Sequence, residues 1–341
     1  MKRQEIALIK GDGIGPEITD AVVAILAAAG AAIDWIPVDA GLSALDHGTE
    51  LIPQHTLDTI GRVKVALKGP CTTPVGEGFT SVNVRLRKAF NLYAAVRPVR
   101  SVPGVGTRYS DVDLVIIREN TEGLYSGVEN EVTPGVVMSM KVATENGCRR
   151  IAKWAFRYAN RKGRGRVSVL HKANIMKMTD GLFLKCAEQV HETDYPNIEF
   201  QTAIIDAGCM RLIQDPAQFD VLLLENLYGD VVSDLCAGLV GGLGVVPGAN
   251  YGDDEAIFEA VHGSAPDIAG QNIANPLALL MSAVMMLNYL SEKNQDDAYA
   301  DCGARIRDAY DAALRAGEST RDLGGSLNTQ EFADAVIARL G

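Results

Sequence analysis

The chain has 341 residues, of which 47% are hydrophobic, so it is long enough to form two domains around sizeable cores. Its net charge of −11, from 32 basic and 43 acidic residues, argues against nucleic acid or an anionic membrane as the main partner. Six cysteines without a CxxC pair and five histidines without an HxxxH pair argue against a zinc site.

The first residues, MKRQEIALIK, enter a predicted strand at once and contain neither a secretory apolar region nor an Arg- and Ser-rich transit segment. No apolar run approaches the roughly 18 residues of a membrane span. We therefore expect a cytoplasmic protein without a membrane partner, and a mature organellar protein would meet the same description.

Short β-rich runs alternate with amphipathic helical stretches over most of the chain. The runs include EIALI, VKVAL, DLVIIRE, RVSVLHK, IEFQTAIID and FDVLLLEN. This alternation is typical of an α/β protein with a largely parallel sheet. From Pro276 onward the pattern becomes mostly helical, beginning with the apolar stretch LALLMSAVMMLNYL.

The first helix is predicted to begin near Pro16, which suits the first helical position, and to stop near Gly30. An apolar stripe supports this prediction and consists of Ile18, Val22, Ile25, Leu26 and Ala29. The turn before the helix, GDGIG, lacks the G-x-G-x-x-G dinucleotide fingerprint because proline stands at position 16. Its glycines still permit a ligand to approach the backbone, so Ile14 is a candidate cofactor contact.

The segment from Thr72 to Arg87 has features that suit an anion. Thr72 and Thr73 offer hydroxyl groups in a loop, and Ser81 is placed to cap the helix that follows. Asn83 and Arg87 share one face of this helix at positions i and i+4. A helix N-terminus with Ser and Asn, followed one turn later by Arg, is suited to bind a negatively charged ligand.

Two further arginines stand at or near the ends of predicted strands, Arg97 in LYAAVRP and Arg118 in DLVIIRE. Singly, each arginine is typical of a surface position or an ion pair. Together with Arg87 they favour a small polyanion that is held through bidentate hydrogen bonds.

Residues 125–142, YSGVENEVTPGVVMSMKV, place β-branched residues on both sides of a Thr133-Pro134-Gly135 turn. We predict a protruding hairpin that takes part in dimer formation. Tyr125, at its start, is compatible with a packed ring or with a proton donor, and the pattern leaves both open.

Several polar residues follow predicted buried strands. Lys172 ends RVSVLHK, where burial can lower the pKa of an ammonium group and create a general base. Asp206 ends IEFQTAIID, and after FDVLLLEN a helix is predicted to start at Gly229. On that helix Asp230 and Asp234 would lie about 40° apart. Their spacing alone is typical of a solvated helix face, but ligands bind at the carboxyl ends of parallel strands, and three carboxylates suit Mg²⁺ or Mn²⁺.

Taken in order, these motifs resemble the β-decarboxylating dehydrogenase family of isocitrate and 3-isopropylmalate dehydrogenases. The resemblance extends from about residue 5 to about residue 290 and rests on GDGIGPE, KGP, LYAAVRP, RENTEG, HKANIMK, NLYGDVVSD, GGLGVVPGAN and HGSAPDIAGQNIANP. It implies an α/β fold of two domains with a large, mostly parallel twisted sheet, unlike the dinucleotide-binding fold. Residues 1–98 and 249–341 would form a large cofactor-binding domain, and residues 99–248 a small domain with the metal site and the dimer interface.

The resemblance also implies the roles of the candidate residues. Asp206, Asp230 and Asp234 would bind Mg²⁺ or Mn²⁺, Lys172 would be the general base, and Tyr125 would be the general acid. The substrate would be bound by Ser81, Asn83, Arg87, Arg97 and Arg118. The family forms homodimers with shared active sites, in which Lys172 and Asp206 would come from the second subunit. A monomer would then be inactive.

Substrate and cofactor choice follow from the same resemblance. Isocitrate enzymes are similar to this chain in having Ser and Asn at the positions of Ser81 and Asn83. Isopropylmalate enzymes have bulky apolar side chains there, and burial of the γ-carboxylate of isocitrate against such side chains would cost several kcal/mol. Asp267 and Ile268 resemble the NAD-using members, because a carboxylate accepts ribose hydroxyls and repels a 2′-phosphate. The residues implied to contact NAD are Ile14, Thr72, Thr73, Asn174, Glu259, His262, Gly263, Ser264, Ala265, Asp267, Ile268 and Asn275.

Alternatives remain open at this point. The chain could act on 3-isopropylmalate, on homoisocitrate or on another 3-substituted malate, although Val84 stands where homoisocitrate enzymes carry an additional Arg. It could be a silent regulatory subunit of a hetero-oligomer, although all catalytic groups are present, or a soluble α/β binding protein. Leu124 departs from the Glu that similar isocitrate enzymes often carry. Ser81 matches a position where phosphorylation blocks substrate in bacterial isocitrate enzymes.

Overall fold

The computed structural model describes residues 1–46, 48, 50–73 and 80–341. The strands in this part of the chain are β1 (Gln4–Ile9), β2 (Ile33–Pro37), β3 (Val65–Lys68), β4 (Ala94–Arg100), β5 (Asp113–Glu119), β6 (Gly123–Thr133), β7 (Val136–Val142), β8 (Arg166–His171), β9 (Glu199–Ile204), β10 (Val221–Leu224), β11 (Pro247–Tyr251) and β12 (Ala256–Ala260). The α-helices are α1 (Gly15–Ala28), α2 (Leu42–Asp46), α3 (Gln54–Val63), α4 (Val82–Ala89), α5 (Glu145–Arg161), α6 (Thr179–Asp194), α7 (Ile205–Gln214), α8 (Asn226–Val240), α9 (Leu277–Asn294), α10 (Ala298–Arg315) and α11 (Thr329–Ile337).

The chain divides into two compact units. Unit 1 contains residues 1–90, 101–108 and 240–341, and unit 2 contains residues 91–100 and 109–239. Both units combine helices with mostly parallel strands, so the predicted α/β class is confirmed. The functional domains that the resemblance implies, with boundaries at 98/99 and 248/249, stay a prediction.

In unit 1 the strands follow the order β2-β1-β3-β12-β11. The first four are parallel to one another, and β11 is antiparallel to β12. The first helix is confirmed: α1 carries proline in its first turn, its predicted apolar stripe is at most 2% exposed, and Gly30 after it has a φ of +76°. A positive φ is the backbone conformation that glycine adopts without strain, which explains the stop at this residue.

The helix α9 forms the interior of unit 1. Its leucines Leu277, Leu279, Leu280, Leu287 and Leu290 are fully buried, as the apolar stretch in the sequence predicts. It packs against β11, β12, α1 and α10. A helix that is apolar on most of its circumference is typical of such a central position.

In unit 2 the strands follow the order β4-β5-β10-β8-β9. The strands β4 and β5 are antiparallel, and β5, β10, β8 and β9 are parallel. All four residues of β10 are buried. Because parallel strands end at the same edge, the residues that follow β5, β10 and β8 are brought to one side of this sheet.

The segment after β5 forms a hairpin, in which β6 and β7 pair with each other in a two-stranded antiparallel sheet. Gly135 at its turn has a φ of +80°. The hairpin exposes Val132, Val136, Val137, Met138 and Met140. Exposed apolar side chains in such number are typical of a surface that binds another protein. Among the described helices, none is both long and apolar enough to pass through a bilayer.

Candidate functional site

A first cluster lies in unit 2, where β5 ends beside α8. The Arg118 side chain is 1% exposed, and its Nη1 donates to Asp230 Oδ1. The Tyr125 hydroxyl donates to the other oxygen, Asp230 Oδ2, and the Arg118 Cζ lies 5.1 Å from the Tyr125 ring centroid. Burial and then the hydrogen bond to Asp230 raise the pKa of Tyr125 above its ordinary value. The phenol therefore stays protonated at neutral pH and can donate a proton.

Arg97 extends this cluster along α8. Its Nη1 donates to Ser233 Oγ and lies 3.4 Å from Asp234 Oδ1, and its Nη2 lies 3.6 Å from Asp230 Oδ1. We call Arg97, Arg118, Tyr125, Asp230 and Asp234 the arginine–aspartate cluster. It combines two guanidinium groups, which can bind ligand carboxylates, with two carboxylates, which can bind a cation.

The start of α8 differs from the prediction. The helix begins at Asn226, three residues before Gly229, because Glu225 caps it: Oε2 and Oε1 of Glu225 accept from the backbone N–H groups of Leu227 (3.3 Å) and Tyr228 (3.1 Å). A carboxylate at this position also interacts favourably with the positive end of the helix dipole. Gly229 lies inside the first turns of α8.

Lys172 and Asp206 form a second pair in unit 2. Lys172 follows β8, and its Nζ donates to Asp206 Oδ1. This hydrogen bond lowers the pKa of Asp206, so the carboxylate is charged at neutral pH. Asp206 does not end a strand as predicted, because β9 stops at Ile204 and Asp206 lies in the first turn of α7. The Asp206 side chain is 68% exposed, which leaves it accessible to another copy of the chain.

The three predicted metal ligands do not form one group within a single chain. Over residues 1–46, 48, 50–73 and 80–341, the structure contains no group of three His, Cys, Asp or Glu residues that could hold a metal ion. Asp230 and Asp234 share one face of α8, whereas Asp206 pairs with Lys172. The donor set itself fits Mg²⁺ or Mn²⁺, since carboxylate oxygens are the ligands that these hard cations prefer.

In unit 1 the helix α4 carries the predicted substrate residues Ser81, Asn83 and Arg87. Ser81 stands at the N-cap position but its side chain makes no capping hydrogen bond, so the predicted cap is wrong. Thr73 Oγ1 accepts from the N–H of Val82 at 3.1 Å instead. Ser81 is exposed, and Asn83 Oδ1 is buried without a hydrogen-bond partner among the residues that the structure describes. Both polar groups are thus available to a ligand.

Arg87 belongs to a buried charge network in unit 1. The register of β3 and β12 pairs Lys68 with Glu259, and the Lys68 Nζ lies 2.7 Å from Glu259 Oε2. Glu259 Oε1 accepts from Asn250 Nδ2 at 2.7 Å and lies 3.8 Å from Arg87 Nη2. Burial alone raises the pKa of Glu259, but Lys68 and Arg87 outweigh it and lower the pKa to about 2. Burial lowers the pKa of Lys68, but the attraction of Glu259 outweighs it, so the pKa of Lys68 is raised.

Loops of the predicted cofactor site are joined to one another in unit 1. The N–H of Ile14 donates to the carbonyl of Ser264 at 2.8 Å, and the hydroxyls of Thr72 and Ser264 lie 2.5 Å apart. The Asp12 carboxylate accepts from the N–H groups of Thr72 (2.7 Å) and Ser43 (2.8 Å). These bonds bring Ile14, Thr72 and Ser264 together, as a common ligand requires.

The remaining predicted cofactor residues of unit 1 lie on the segment after β12 and at the start of α9. His262 Nε2 is buried and finds no partner among the described residues, and burial lowers the pKa of this histidine. Gly263 has open space where a Cβ would be, Ala265 has a φ of +38°, and Asp267 is exposed beside Ile268. Asn275 Nδ2 donates to Asp322 Oδ2 at 2.9 Å. An orphaned ring nitrogen and an open backbone fit a bound nucleotide.

Asn174 is an exposed residue of unit 2, two residues after Lys172. It lies on a different unit from the other predicted cofactor residues. Lys68, Asn226 and Asp12 are buried polar residues that were not among the predicted site residues. Lys68 could have been found, because it ends the apolar run VKVALK as Lys172 ends RVSVLHK.

Known proteins are similar to this chain over its whole length. A family model described as isocitrate/isopropylmalate dehydrogenase matches residues 5–336. The chain is 51% identical over 335 residues to the mitochondrial NAD isocitrate dehydrogenase catalytic subunit 5 of Arabidopsis thaliana, a match that covers 98% of this chain and 87% of that protein. It is 47% identical over 341 residues to a mitochondrial NAD isocitrate dehydrogenase regulatory subunit of Dictyostelium discoideum, with coverage of 99% and 92%. A crystal structure of isocitrate dehydrogenase from Methylococcus capsulatus matches with a TM-score of 0.93 and 46% identity, covering 99% of each chain.

Proposed function

This chain belongs to the isocitrate/isopropylmalate dehydrogenase family, and on that premise we propose that it oxidises D-isocitrate to 2-oxoglutarate and carbon dioxide, using NAD and Mg²⁺ or Mn²⁺. The observation that carries the proposal is the contact of one carboxylate, Asp230, with both Arg118 and Tyr125. A candidate metal ligand, a carboxylate-binding guanidinium and a candidate acid thereby meet at one point.

The substrate carboxylates are bound by Arg87, Arg97 and Arg118 in this proposal. A guanidinium presents N–H groups in a fixed fork that matches a carboxylate, and all three residues are at least nine-tenths buried. Ser81 and Asn83 recognise the γ-carboxylate by donating to it, Ser81 from its exposed hydroxyl and Asn83 from its amide NH₂ group. Polar groups at these two positions favour a tricarboxylate over a substrate with an apolar arm, because an apolar arm would leave them without partners.

Lys172 takes the proton of the substrate hydroxyl, and Tyr125 returns a proton to carbon after carbon dioxide has left. The raised pKa of Tyr125 keeps the proton on the phenol until it is needed. A cation at Asp206, Asp230 and Asp234 would lower the pKa of the hydroxyl and stabilise negative charge on its oxygen, and bound NAD would accept the hydride. Arg97 and Arg118 hold Asp230 and Asp234 in position on α8, where the two carboxylates would bind the cation.

The cofactor in this proposal is NAD rather than NADP. Asp267 is exposed on the segment after β12, where its carboxylate can accept from the ribose hydroxyls and repel a 2′-phosphate. Ile14, Thr72 and Ser264 are already joined by hydrogen bonds, and His262 offers a buried ring nitrogen. The other residues proposed to contact NAD are Thr73, Glu259, Gly263, Ala265, Ile268, Asn275 and Asn174.

A homodimer with shared active sites is part of the proposal. In this proposal a second copy supplies the third carboxylate, Asp206, together with Lys172, and the exposure of Asp206 and its pairing with Lys172 support this assignment. Asn174 lies two residues from Lys172 and would be supplied by the same copy. The apolar hairpin of β6 and β7 is proposed as a contact between the copies.

The test is steady-state kinetics with the purified chain expressed alone. We expect NADH formation with D-isocitrate and Mg²⁺ or Mn²⁺, little rate with NADP, and loss of rate when a chelator removes the metal. A preference for 3-isopropylmalate or homoisocitrate would replace isocitrate as the proposed substrate. Absence of turnover with every malate-type substrate would contradict catalysis by this chain.

One specific observation favours a second candidate, a regulatory role within a hetero-oligomer. The Dictyostelium relative, which is named as regulatory, is nearly as similar to the chain as the catalytic relative from Arabidopsis. Turnover by the chain alone separates the two candidates. Both relatives are mitochondrial by name, so we propose the organellar location that the sequence left open, in place of the cytoplasmic location that was expected.

A further inference from the structure

The side chain of Arg118 runs across the first turn of α8. It is 1% exposed, the most completely buried arginine in the described part of the chain. Its Nε and Nη2 donate to Asn226 Oδ1 at 3.0 and 2.7 Å, and its Nη1 donates to Asp230 Oδ1. These bonds use three of the five N–H groups of the guanidinium, and Tyr125 also interacts with it.

The Asn226 amide is itself held in one orientation. Its side chain is buried, and its Nδ2 donates to the carbonyl of Glu122 at 2.9 Å. A carbonyl accepts only from the NH₂ group of the amide, so the oxygen of Asn226 must face the guanidinium. The amide thereby fixes the plane of the guanidinium, and with it the direction in which the guanidinium can donate to a ligand.

Gly229 provides the space through which Arg118 passes. A Cβ on this residue would lie 2.5 Å from Arg118 Cγ, 2.6 Å from Cβ and 3.1 Å from Cδ. Gly229 lies inside α8 and has no positive φ, so its conformation does not require glycine. Glycine in a helix interior is less favourable than alanine, and here the absent side chain is what allows Arg118 to reach its place.

We propose that Asn226 and Gly229 are positioning residues, which set the affinity for the substrate by fixing the Arg118 guanidinium. The inference rests on the proposed function, because it takes Arg118 to bind a substrate carboxylate. Neither residue needs to touch the substrate. A weakened hydrogen bond between charged groups lowers affinity by roughly 10- to 100-fold, so a small shift of Arg118 is measurable as a change in the KM for isocitrate.

The test compares Gly229→Ala with Gly238→Ala. Gly238 lies on the same helix, is exposed, and has nothing within 4 Å of an added Cβ, so it receives the same gain in helix propensity without a contact to Arg118. We expect Gly229→Ala to raise the KM for isocitrate about 10- to 100-fold, with the KM for NAD within about twofold of the wild-type value. Gly238→Ala leaves both KM values unchanged.

A second variant covers the case in which Gly229→Ala does not fold. Asn226→Asp keeps the size of the side chain and an acceptor for Arg118, but adds a negative charge that competes with the substrate for the guanidinium. It is expected to raise the KM for isocitrate by at least about tenfold, again without change in the KM for NAD. A merely structural role would lower the melting temperature and the active fraction and leave both KM values as they are.

The outcomes separate this inference from the proposed function. Wild-type protein without isocitrate turnover overturns the proposed function. Wild-type turnover together with equal KM values for isocitrate in Gly229→Ala, Asn226→Asp and Gly238→Ala overturns the positioning roles alone. Crystal structures give a second readout: the guanidinium of Arg118 moves in Gly229→Ala and stays in place in Gly238→Ala, and an unmoved guanidinium in both contradicts the inference.

Discussion

The ion pair of Lys68 and Glu259 shows how a buried charge is tolerated. The side chains are 2% and 10% exposed, so each loses most of its hydration. Such a pair contributes little net stability because desolvation offsets the attraction, but removal of one partner leaves an uncompensated charge in the interior. Asn250 and Arg87 supply further contacts to the Glu259 carboxylate, which is why it remains charged.

We predict that Glu259→Gln destabilises unit 1 by about 3–5 kcal/mol at neutral pH, because the ammonium of Lys68 stays buried without its carboxylate. The lowered pKa of Glu259, about 2, means that its stabilisation is complete above the unfolded-state pKa of about 4.3 and is lost as the pH falls toward 2. The difference in melting temperature between wild type and variant should therefore narrow below about pH 4.

The double variant Lys68→Met with Glu259→Gln is the control for this prediction. It removes both charges, so it should recover part of the stability that Glu259→Gln loses. Because both variants lack the titrating carboxyl of Glu259, the difference in melting temperature between them should stay constant as the pH falls, while wild type loses stability relative to both. A single variant that is as stable as wild type at neutral pH would contradict the assigned ion pair.

The exposed carboxylate of Asp267 gives a prediction about cofactor choice. Asp267→Lys replaces a group that repels a 2′-phosphate by one that attracts it, and like-charge contacts cost several kcal/mol. The ratio of kcat/KM for NADP to that for NAD should rise by about 100-fold, since about 1.4 kcal/mol corresponds to each factor of ten.

Asp253→Lys is the matched control, because Asp253 is an exposed aspartate of the same unit and the substitution changes the net charge equally. It should leave the ratio unchanged. An unmodified protein that prefers NADP, or equal effects of the two lysines, would show that Asp267 does not choose the cofactor.

Among the elements, local signals located some boundaries and not others. Pro16 and Gly30 delimit α1 because both act through their own backbone, and Thr133-Pro134-Gly135 marks the turn of the hairpin for the same reason. The start of α8 was predicted at Gly229 but lies at Asn226, since the Glu225 side chain caps the helix. The glycine at position 229 suggested a turn, but it lies inside α8 and leaves room there for the side chain of Arg118 from strand β5.

The candidate site also has parts that a local sequence pattern predicts and parts that it does not. The pattern of carboxylates on α8 could be predicted, because Asp230 and Asp234 are neighbours on one helix. The bond from Arg118 to Asn226 joins residues 108 positions apart and depends on the register of β5 and β10, which no local pattern encodes. The pair of Lys68 and Glu259 depends likewise on the pairing of β3 with β12.

The helix α11 offers a test of stability at the scale of one element. Asn328 Oδ1 accepts from the N–H of Glu331 at 2.9 Å, and Glu331 Oε2 accepts from the N–H of Asn328 at 2.8 Å, which forms a capping box. The helix buries Phe332 and packs on α1 and α10. Asn328→Ala should lower the stability of unit 1 by about 1 kcal/mol.

Gln330→Ala is the control for the capping box. Gln330 is exposed on the same helix, and its side chain bonds across one turn to Asp334 at 2.9 Å. Its replacement should cost no more than about 0.5 kcal/mol. The measurement is the midpoint of urea unfolding, compared between variants whose dependence of unfolding free energy on urea concentration is the same. Equal shifts of the midpoint in both variants would show that the capping box is not the cause of the lost stability.

At the scale of the whole molecule, the separation of the charged groups within one chain has a functional consequence. Asp230 and Asp234 are held by Arg97 and Arg118, while Lys172 is held by Asp206. In the proposed homodimer, each site draws Asp230 and Asp234 from one copy and Lys172 and Asp206 from the other. A C2 dimer meets this requirement because the same surface patch of both copies forms its interface.

The last prediction follows from this arrangement and uses two inactive variants, Lys172→Met and Asp230→Asn. In a mixed dimer, one site receives both defects and the other receives none, because the two residues reach a site from different copies. Random reassociation makes about half of the dimers mixed, so the mixture should recover about one quarter of wild-type activity. Lys172→Met mixed with Asp206→Asn is the control: both residues come from the same copy, each site of the mixed dimer keeps one defect, and no activity should return. Recovery in the control, or none in the first mixture, would show that the sites are not shared in this way.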